Sequence, residues 1–271
     1  MDNANPLIQS PCDPQILAEN YWKPPRNENS WFASWFSSPY YPILYKKRDE
    51  REAEEFIANA LGRLKLKKGS KVLDLACGRG RHARFLRQFG HSVLGYDLSR
   101  ESILEANRFS DAQLHFYVHD MRQTFPHKGF DAVFNLFTSL GYFQDVMENC
   151  LTLMNIADAT RPGGWLLIDY FNADKVLQDL IPEEEKIIQG VFFKIRKYVQ
   201  QGRIFKEITI RDGDHQEQHT EEVQLLSKAY FEGMLKQTGF EVLDEWGDYG
   251  GNSFRQNSSP RLILFAKKKS N

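Results

Sequence analysis

A glycine-spaced turn with an acid beside it is the part of this chain whose residue types and spacing could do chemistry. A short apolar run from Val72 contains Asp74, and Gly78 and Gly80 follow it. The residues from Arg81 onward can form a helix, so the stretch predicts a strand, a tight loop and a helix N-terminus. Glycines let a ligand approach the backbone, and the free N–H groups of a helix start favour a negative group on it.

A second acid, Asp97, follows the next predicted strand, Ser92–Tyr96. A carboxylate there can accept hydrogen bonds from both hydroxyls of a ribose, although it could also belong to the N-cap region of the helix after Ser99. A carboxylate at a buried strand end such as Asp74 needs a partner, which would be a ligand's ammonium group unless the side chain serves as a cap. These features fit a nucleoside ligand with a positive charge, S-adenosylmethionine, better than a dinucleotide.

Strands and helices alternate from residue 70 to residue 170, and this alternation predicts a parallel sheet with helices on both faces. The predicted elements are strands at Lys71–Leu75, Ser92–Tyr96, Leu114–Val118, Phe130–Leu136 and Trp165–Tyr170, and helices at Arg48 to about Lys65, Arg81–Phe89, Ser99 to about Phe109 and Asp145–Ala159. A helix at Ser227–Gln237 and strands at Phe240–Trp246 and Arg261–Lys267 complete the pattern. The fold class is α/β, Rossmann-like and doubly wound, with a mostly parallel seven-stranded sheet.

Between these two parts the pattern changes to the alternation of antiparallel strands. Val191–Tyr198, Arg203–Arg211 and Gln216–Leu225 are separated by short turns with glycine, which predict hairpins. We therefore divide the chain into an N-terminal aromatic extension or lid (1–60), a main domain (61–170 and 227–271) and an antiparallel β insertion (171–226).

Composition narrows the partners of the chain. Its 271 residues carry a formal net charge of −1, so no overall positive field attracts nucleic acid. No apolar run reaches the length of a membrane span, and the first residues lack the features of a signal peptide. We expect a cytoplasmic protein with a small-molecule substrate, no membrane or metal, and a possible homodimer.

Five segments resemble, in order and spacing, the motifs of the class I S-adenosylmethionine-dependent methyltransferases. They are Val72–Gly80, Gly95–Ser99, His119–Arg122, Phe130–Phe137 and Arg161–Ile168. Leu140–Phe143 and the β insertion resemble a small-molecule subgroup in which extra elements cover the active site. The resemblance implies that the last strand of the sheet is antiparallel and that the cofactor lies at the carboxyl ends of the central strands.

The residues that match these motifs give the predicted cofactor site. They are Asp74, Ala76, Cys77, Gly78, Gly80, Asp97, Leu98, Asp120, Met121 and Leu136. By resemblance, Asp120 contacts the adenine amino group, and Leu98 and Met121 sandwich the adenine ring, although both could be core residues. Tyr45 and Arg48 could close over the cofactor, with Arg48 reaching its carboxylate; equally, they could be a core tyrosine and a surface arginine.

We thus expect methyl transfer from S-adenosylmethionine to a small molecule, with S-adenosylhomocysteine as product. Tyr142, Tyr170 and Arg261 are candidates for orienting the acceptor, whose accepting atom stays open among N, O and C. No catalytic residue is predicted, because a neutral amine needs no base. Two alternatives remain: an NAD(P)-dependent oxidoreductase, since Gly78–Ala83 also fits Gly-x-Gly-x-x-Ala, and a non-catalytic S-adenosylmethionine-binding protein.

Overall fold

A computed structural model describes residues 31–46 and 50–270. Eleven strands in this part form two sheets: β1 (Lys71–Leu75), β2 (Ser92–Asp97), β3 (Leu114–Val118), β4 (Phe130–Asn135), β5 (Thr160–Phe171), β6 (Glu183–Ile188), β7 (Val191–Gln200), β8 (Arg203–Asp212), β9 (His215–Gln224), β10 (Phe240–Trp246) and β11 (Arg261–Lys268). The main sheet has the order β10-β11-β5-β4-β1-β2-β3. Six of these strands run in one direction, and β11 runs in the opposite direction. The predicted fold class is confirmed.

Helices cover both faces of the main sheet. In the described chain they are α1 (Trp31–Ser37), α2 (Tyr41–Leu44), α3 (Glu50–Leu64), α4 (Arg81–Gln88), α5 (Arg100–Ala106), α6 (Val146–Ala159), α7 (Ala173–Gln178) and α8 (Lys228–Gln237), with a 3₁₀ turn at Asn107–Phe109. Apolar side chains of α3, α4 and α5 pack on one face and those of α6 and α8 on the other. Each face therefore has its own hydrophobic core.

Side-chain caps explain where several helices begin. The hydroxyl of Ser99 accepts a hydrogen bond from the backbone N–H of Ser102, and Ser227 caps α8 in the same way. Asp145 and Glu148 form a reciprocal capping box at the start of α6. These polar residues occupy backbone donors that the helix itself leaves free.

The element predictions agree with the structure except at the start of β5 and in the segment between β5 and β7. β5 begins at Thr160, five residues before the predicted start, and its pairing with β4 is irregular between Phe130 and Ala132. Such an irregularity accommodates Pro162, which cannot donate to a regular ladder. The sequence analysis does not predict β6, whose residues are mostly charged and exposed. It also does not predict the short helix α7.

The second sheet has the order β6-β7-β8-β9 and is antiparallel throughout. Buried apolar residues of β7 and β8, including Phe193 and Ile208, pack with Trp35 of α1. Partly buried aromatic residues of α1 and α2 surround this cluster. The N-terminal segment therefore joins the second sheet to the rest of the molecule. None of the described helices combines the length and apolar character that crossing a membrane requires.

The ring of Phe116 on β3 fills a space that two glycines leave open. A Cβ atom at Gly95 would lie 2.4 Å from this ring, and one at Gly80 would lie 2.6 Å from it. Phe116 is buried, so the ring has little room to move aside. The close approach brings β3 directly beneath the loop that follows β1.

We predict that Gly95→Ala destabilises the protein by about 1–3 kcal/mol, because an added methyl group overpacks the buried ring. Denaturant unfolding followed by fluorescence measures this change. Gly62→Ala is the matched control: Gly62 lies inside α3 with nothing within 4 Å of a new Cβ, so that variant should gain up to about 1 kcal/mol. Equal stability of both variants would contradict the packing argument.

Candidate functional site

A cavity of about 630 Å³ opens at the carboxyl ends of β1, β2 and β4. This is the edge at which open α/β sheets bind ligands. The predicted residues that line it are Tyr45, Ala76, Cys77, Gly78, Asp97, Leu98, Asp120, Met121, Leu136 and Tyr142. The structure thus brings ten residues from six separate segments around one cavity.

The loop after β1 turns sharply between the strand and α4. Ala76, Gly78 and Gly80 all have positive φ, and the Cβ direction of Gly78 meets nothing within 4 Å. Gly80 is the N-cap residue of α4 and does not line the cavity. Cys77 carries a free thiol whose pKa burial raises, so it stays protonated near neutral pH. The loop presents bare backbone to the cavity at Gly78.

The carboxylate of Asp97 ties this loop to the end of β2. Its Oδ2 accepts a hydrogen bond from the Gly78 N–H at 2.8 Å, and its Oδ1 accepts one from the Ser99 N–H at 2.8 Å. Burial raises the pKa of Asp97, and these backbone donors oppose that rise. Each oxygen has two lone pairs, so each can still accept a hydrogen bond from a ligand.

Asp74 lies behind the loop and is only 1% exposed. Burial raises its pKa to about 7, while a backbone hydrogen bond from Ala83 lowers it. Its Oδ2 has no hydrogen-bond partner within the described part of the chain. A buried carboxylate oxygen without a donor is costly, and a positively charged ligand group would relieve that cost. The loop and Asp74 therefore suit a cofactor that carries an ammonium group.

Asp120 belongs to a buried ion-pair network at the side of the cavity. The Arg122 guanidinium donates to both of its oxygens, with Nη2 2.7 Å from Oδ2. Another nitrogen of Arg122 donates to Glu148 at 2.7 Å. Charge-assisted hydrogen bonds of this kind fix a carboxylate in one orientation. The sequence motif indicated Asp120 but gave no sign that Arg122 would hold it.

Tyr45 is held by the second sheet. Its hydroxyl donates to Glu221 on β9 at 2.5 Å and accepts from Lys206 on β8 at 2.5 Å. Trp35 donates its indole N–H to the same Glu221 at 2.6 Å. Arg48, the other residue predicted to close over the cofactor, lies outside the described residues. The structure thus ties Tyr45 to the wall of the cavity through the charged side chains of Glu221 and Lys206.

A second cavity of about 610 Å³ adjoins the first, between the second sheet, the N-terminal segment and the main sheet. The two cavities share five lining side chains, and all five are aromatic: Phe36, Tyr41, Tyr45, Phe137 and Tyr142. We call these five residues the aromatic wall. The Tyr142 ring lies 5.0 Å from that of Trp31, between centroids.

A buried ion pair that the sequence did not indicate supports the aromatic wall. Asp169 is fully buried; its Oδ1 accepts hydrogen bonds from Arg261, and its Oδ2 accepts one from the Phe137 N–H at 3.0 Å. Phe137 and Thr138 have positive φ, so the loop after β4 needs such support. An acid inside the apolar run of β5 was the available signal.

Two of the three predicted substrate residues face a cavity. Arg261 lines the second cavity, and Tyr142 lines both. Tyr170 lines neither, because its side chain is fully buried and its hydroxyl donates to the backbone carbonyl of Gln224. This position corrects the prediction that Tyr170 orients the acceptor, because its side chain packs in the hydrophobic core. His82 lines the first cavity, and burial lowers its pKa to about 3, so its ring is neutral.

The comparisons with known proteins agree on one family. The profile of the methyltransferase domain family matches residues 45–245. The dTDP-3-amino-3,4,6-trideoxy-alpha-D-glucopyranose N,N-dimethyltransferase of Streptomyces venezuelae is 28% identical over 214 residues, which are 74% of this chain and 89% of that protein. The glycine N-methyltransferase of Mus musculus is 32% identical over 150 residues, 49% of this chain and 51% of that protein.

A solved structure agrees in fold. The S-adenosylmethionine-dependent methyltransferase of Clostridium acetobutylicum superposes with a TM-score of 0.75 at 20% identity, over 85% of this chain and 96% of that one. The family match covers far more than half of the chain and does not favour the oxidoreductase or the non-catalytic alternative. This chain belongs to the methyltransferase domain family, and it is an S-adenosylmethionine-dependent methyltransferase.

Proposed function

We propose that the enzyme methylates an amine nitrogen of a small molecule. The observation that carries the proposal is the aromatic wall, which lies between the first cavity and the second cavity of similar size. Aromatic faces attract ammonium groups, including the methylated product of an amine. The printed names of two relatives also describe N-methylation, of an amino sugar and of glycine.

In this proposal the first cavity holds S-adenosylmethionine. Asp74 does not line the cavity, and its carboxylate, just behind the loop, offsets the charge of the cofactor's ammonium group. The backbone at Gly78, with the start of α4, holds the amino-acid part. The remaining lone pairs of Asp97 accept hydrogen bonds from the ribose hydroxyls. The orphaned oxygen of Asp74 and the open space at Gly78 are the features that support this arrangement.

The adenine end of the cofactor belongs at the side of the cavity near β3. Leu98 and Met121 would enclose the ring, and Arg122 fixes the carboxylate of Asp120 that we assign to the adenine amino group. The proposed cofactor site is completed by Ala76, Cys77, Leu136 and Tyr45, which line the cavity. Gly80 does not line it and contributes by forming the N-cap of α4. Arg48 remains a prediction.

The contribution of the protein to the reaction is placement. When bound, S-adenosylmethionine would supply an electrophilic methyl group to the lone pair of the acceptor nitrogen, with S-adenosylhomocysteine as the leaving group. Holding the reactants in such a geometry supplies up to about 7–11 kcal/mol of barrier reduction. The aromatic wall surrounds the junction of the two cavities with ring faces, and a neutral amine sheds its proton after transfer without a dedicated base.

The wider setting of the enzyme is also a proposal. We propose the division into the extension 1–60, the main domain 61–170 with 227–271, and the insertion 171–226; the separate second sheet supports it. The cytoplasmic location and the homodimer stay predictions. The formal net charge of −1 supports an acceptor other than nucleic acid.

We predict that Asp97→Ala weakens binding of S-adenosylhomocysteine at least about a hundredfold, because hydrogen bonds to a charged group contribute about 1.5–3 kcal/mol each. Calorimetric titration measures the affinity. Asp158→Ala, an exposed acid paired with Lys128 far from the cavity, should bind like the unaltered enzyme. Undiminished binding to the Asp97 variant would refute the assignment.

We predict that S-adenosylhomocysteine binds more tightly as the pH rises from 5.5 to 7.5. The pKa of Asp74 is about 7 without ligand, and the ammonium group requires the ionised carboxylate, so affinity should rise up to about tenfold per pH unit below 7. Asp74→Asn should bind weakly with no such slope. The same slope in this variant would assign the titration to another group.

The same raised pKa gives a prediction for the stability of the ligand-free enzyme. The pKa of Asp74 in the folded chain lies above its ordinary value of 3.8, so the stabilisation that the protonated carboxyl provides is fully present below pH 4 and is lost as the pH rises through about 7. Asp74→Asn should therefore melt at a higher temperature than the unaltered enzyme at pH 8. Thermal unfolding without cofactor tests this, and a lower melting temperature for the variant would count against an unpaired carboxylate.

A further inference from the structure

Four charged side chains, one on each strand, form a row across the face of the second sheet that borders the second cavity. Glu184 lies on β6, Lys197 on β7, Lys206 on β8 and Glu221 on β9, and all four line the second cavity. The row lies beside the apolar cluster that α1 covers.

The two lysines in the middle of this row are direct cross-strand partners on one face. Like charges in that position destabilise a sheet. Both side chains are also largely removed from water, with 24% of Lys197 and 16% of Lys206 exposed. Burial lowers the pKa of Lys206, and Lys197 adds to this effect while Glu221 opposes it. The fold therefore maintains an arrangement that costs stability.

The nearby carboxylates offset this charge only in part. Glu184 accepts from Lys197 at 2.7 Å and also pairs with a third lysine, Lys186, at 2.7 Å. Glu221 lies 3.5 Å from Lys206 and already accepts hydrogen bonds from two aromatic side chains. Three ammonium groups thus face two carboxylates along this side of the cavity.

The opposite side of the second cavity has cations with partners of their own. Lys175 pairs with Asp179 at 2.8 Å, and Arg261 pairs with the buried Asp169. In the described part of the chain, five cationic and three acidic side chains line this cavity. The surplus of positive charge therefore lies on the second sheet.

We propose that the second cavity binds a phosphate group of the methyl acceptor through Lys186, Lys197 and Lys206. This inference rests on the proposed function and adds the chemical class of the acceptor: an amine that carries a phosphate ester or diphosphate. An anionic phosphate group offsets the positive charge that the two carboxylates leave unbalanced, and lysine binds phosphate as a compact point charge. A cavity of about 610 Å³ has room for the rest of a sugar-sized acceptor beside this site.

The test is calorimetric titration of inorganic pyrophosphate into the full-length enzyme saturated with S-adenosylhomocysteine. We expect saturable binding that weakens at least about tenfold in Lys197→Met and in Lys186→Met. The matched control is Lys194→Met, since Lys194 is on the same strand as Lys197, pairs with Glu183 and does not line the cavity. This control should bind pyrophosphate like the unaltered enzyme.

Each outcome bears on the proposal. Absence of saturable binding, equal loss in the Lys194 control, or retention of full affinity in both cavity variants would overturn it. Tighter binding of malonate than of pyrophosphate would replace phosphate by a carboxylate and so also overturn it. The preceding saturation with S-adenosylhomocysteine separates the two levels: failure at that step counts against the proposed function, whereas failure with pyrophosphate alone counts against the phosphate site.

Discussion

A carboxylate removed from water must find hydrogen-bond donors or an opposite charge, and this constraint organises the carboxyl edge of the main sheet. The partly buried Asp97 and the fully buried Asp169 and Asp74 meet it in different ways. Asp97 takes two backbone N–H groups and thereby fixes the glycine loop on β2. Asp169 takes Arg261 and the backbone of Phe137. Within residues 31–46 and 50–270, Asp74 keeps one oxygen without a hydrogen-bond donor, near the place where the cofactor's ammonium group is proposed to bind.

The active-site region depends on contacts between parts of the chain that are far apart in sequence. Asp169 supports the loop after β4 from within the main sheet, whereas Glu221 and Lys206 hold Tyr45 from the second sheet. The aromatic wall is built where these two supports meet. The N-terminal segment closes the region because its aromatic side chains pack both on the second sheet and on Tyr142. The second cavity is therefore lined by the second sheet and the N-terminal segment together with residues of the main sheet.

Much of the fold was predictable because local pattern and tertiary structure agree. Apolar runs bounded by turns gave β1 and β3, and Ser99 gave the start of α5. β6 could not be found in this way, since its run of glutamates has the composition of a solvated loop. The glycine loop and its acids were recognisable from spacing. The partners of Asp169 and Tyr45 were not, because those contacts join residues 92 and 176 positions apart.

A crystal structure of the enzyme with S-adenosylhomocysteine tests the central claim most directly. The account predicts that the ligand fills the first cavity with its ribose at Asp97, its ammonium group at Asp74 and its sulfur facing the aromatic wall. That orientation would direct the methyl group of S-adenosylmethionine toward the second cavity. A ligand bound with its sulfur turned away from Phe137 and Tyr142, or bound outside the first cavity, would contradict the account.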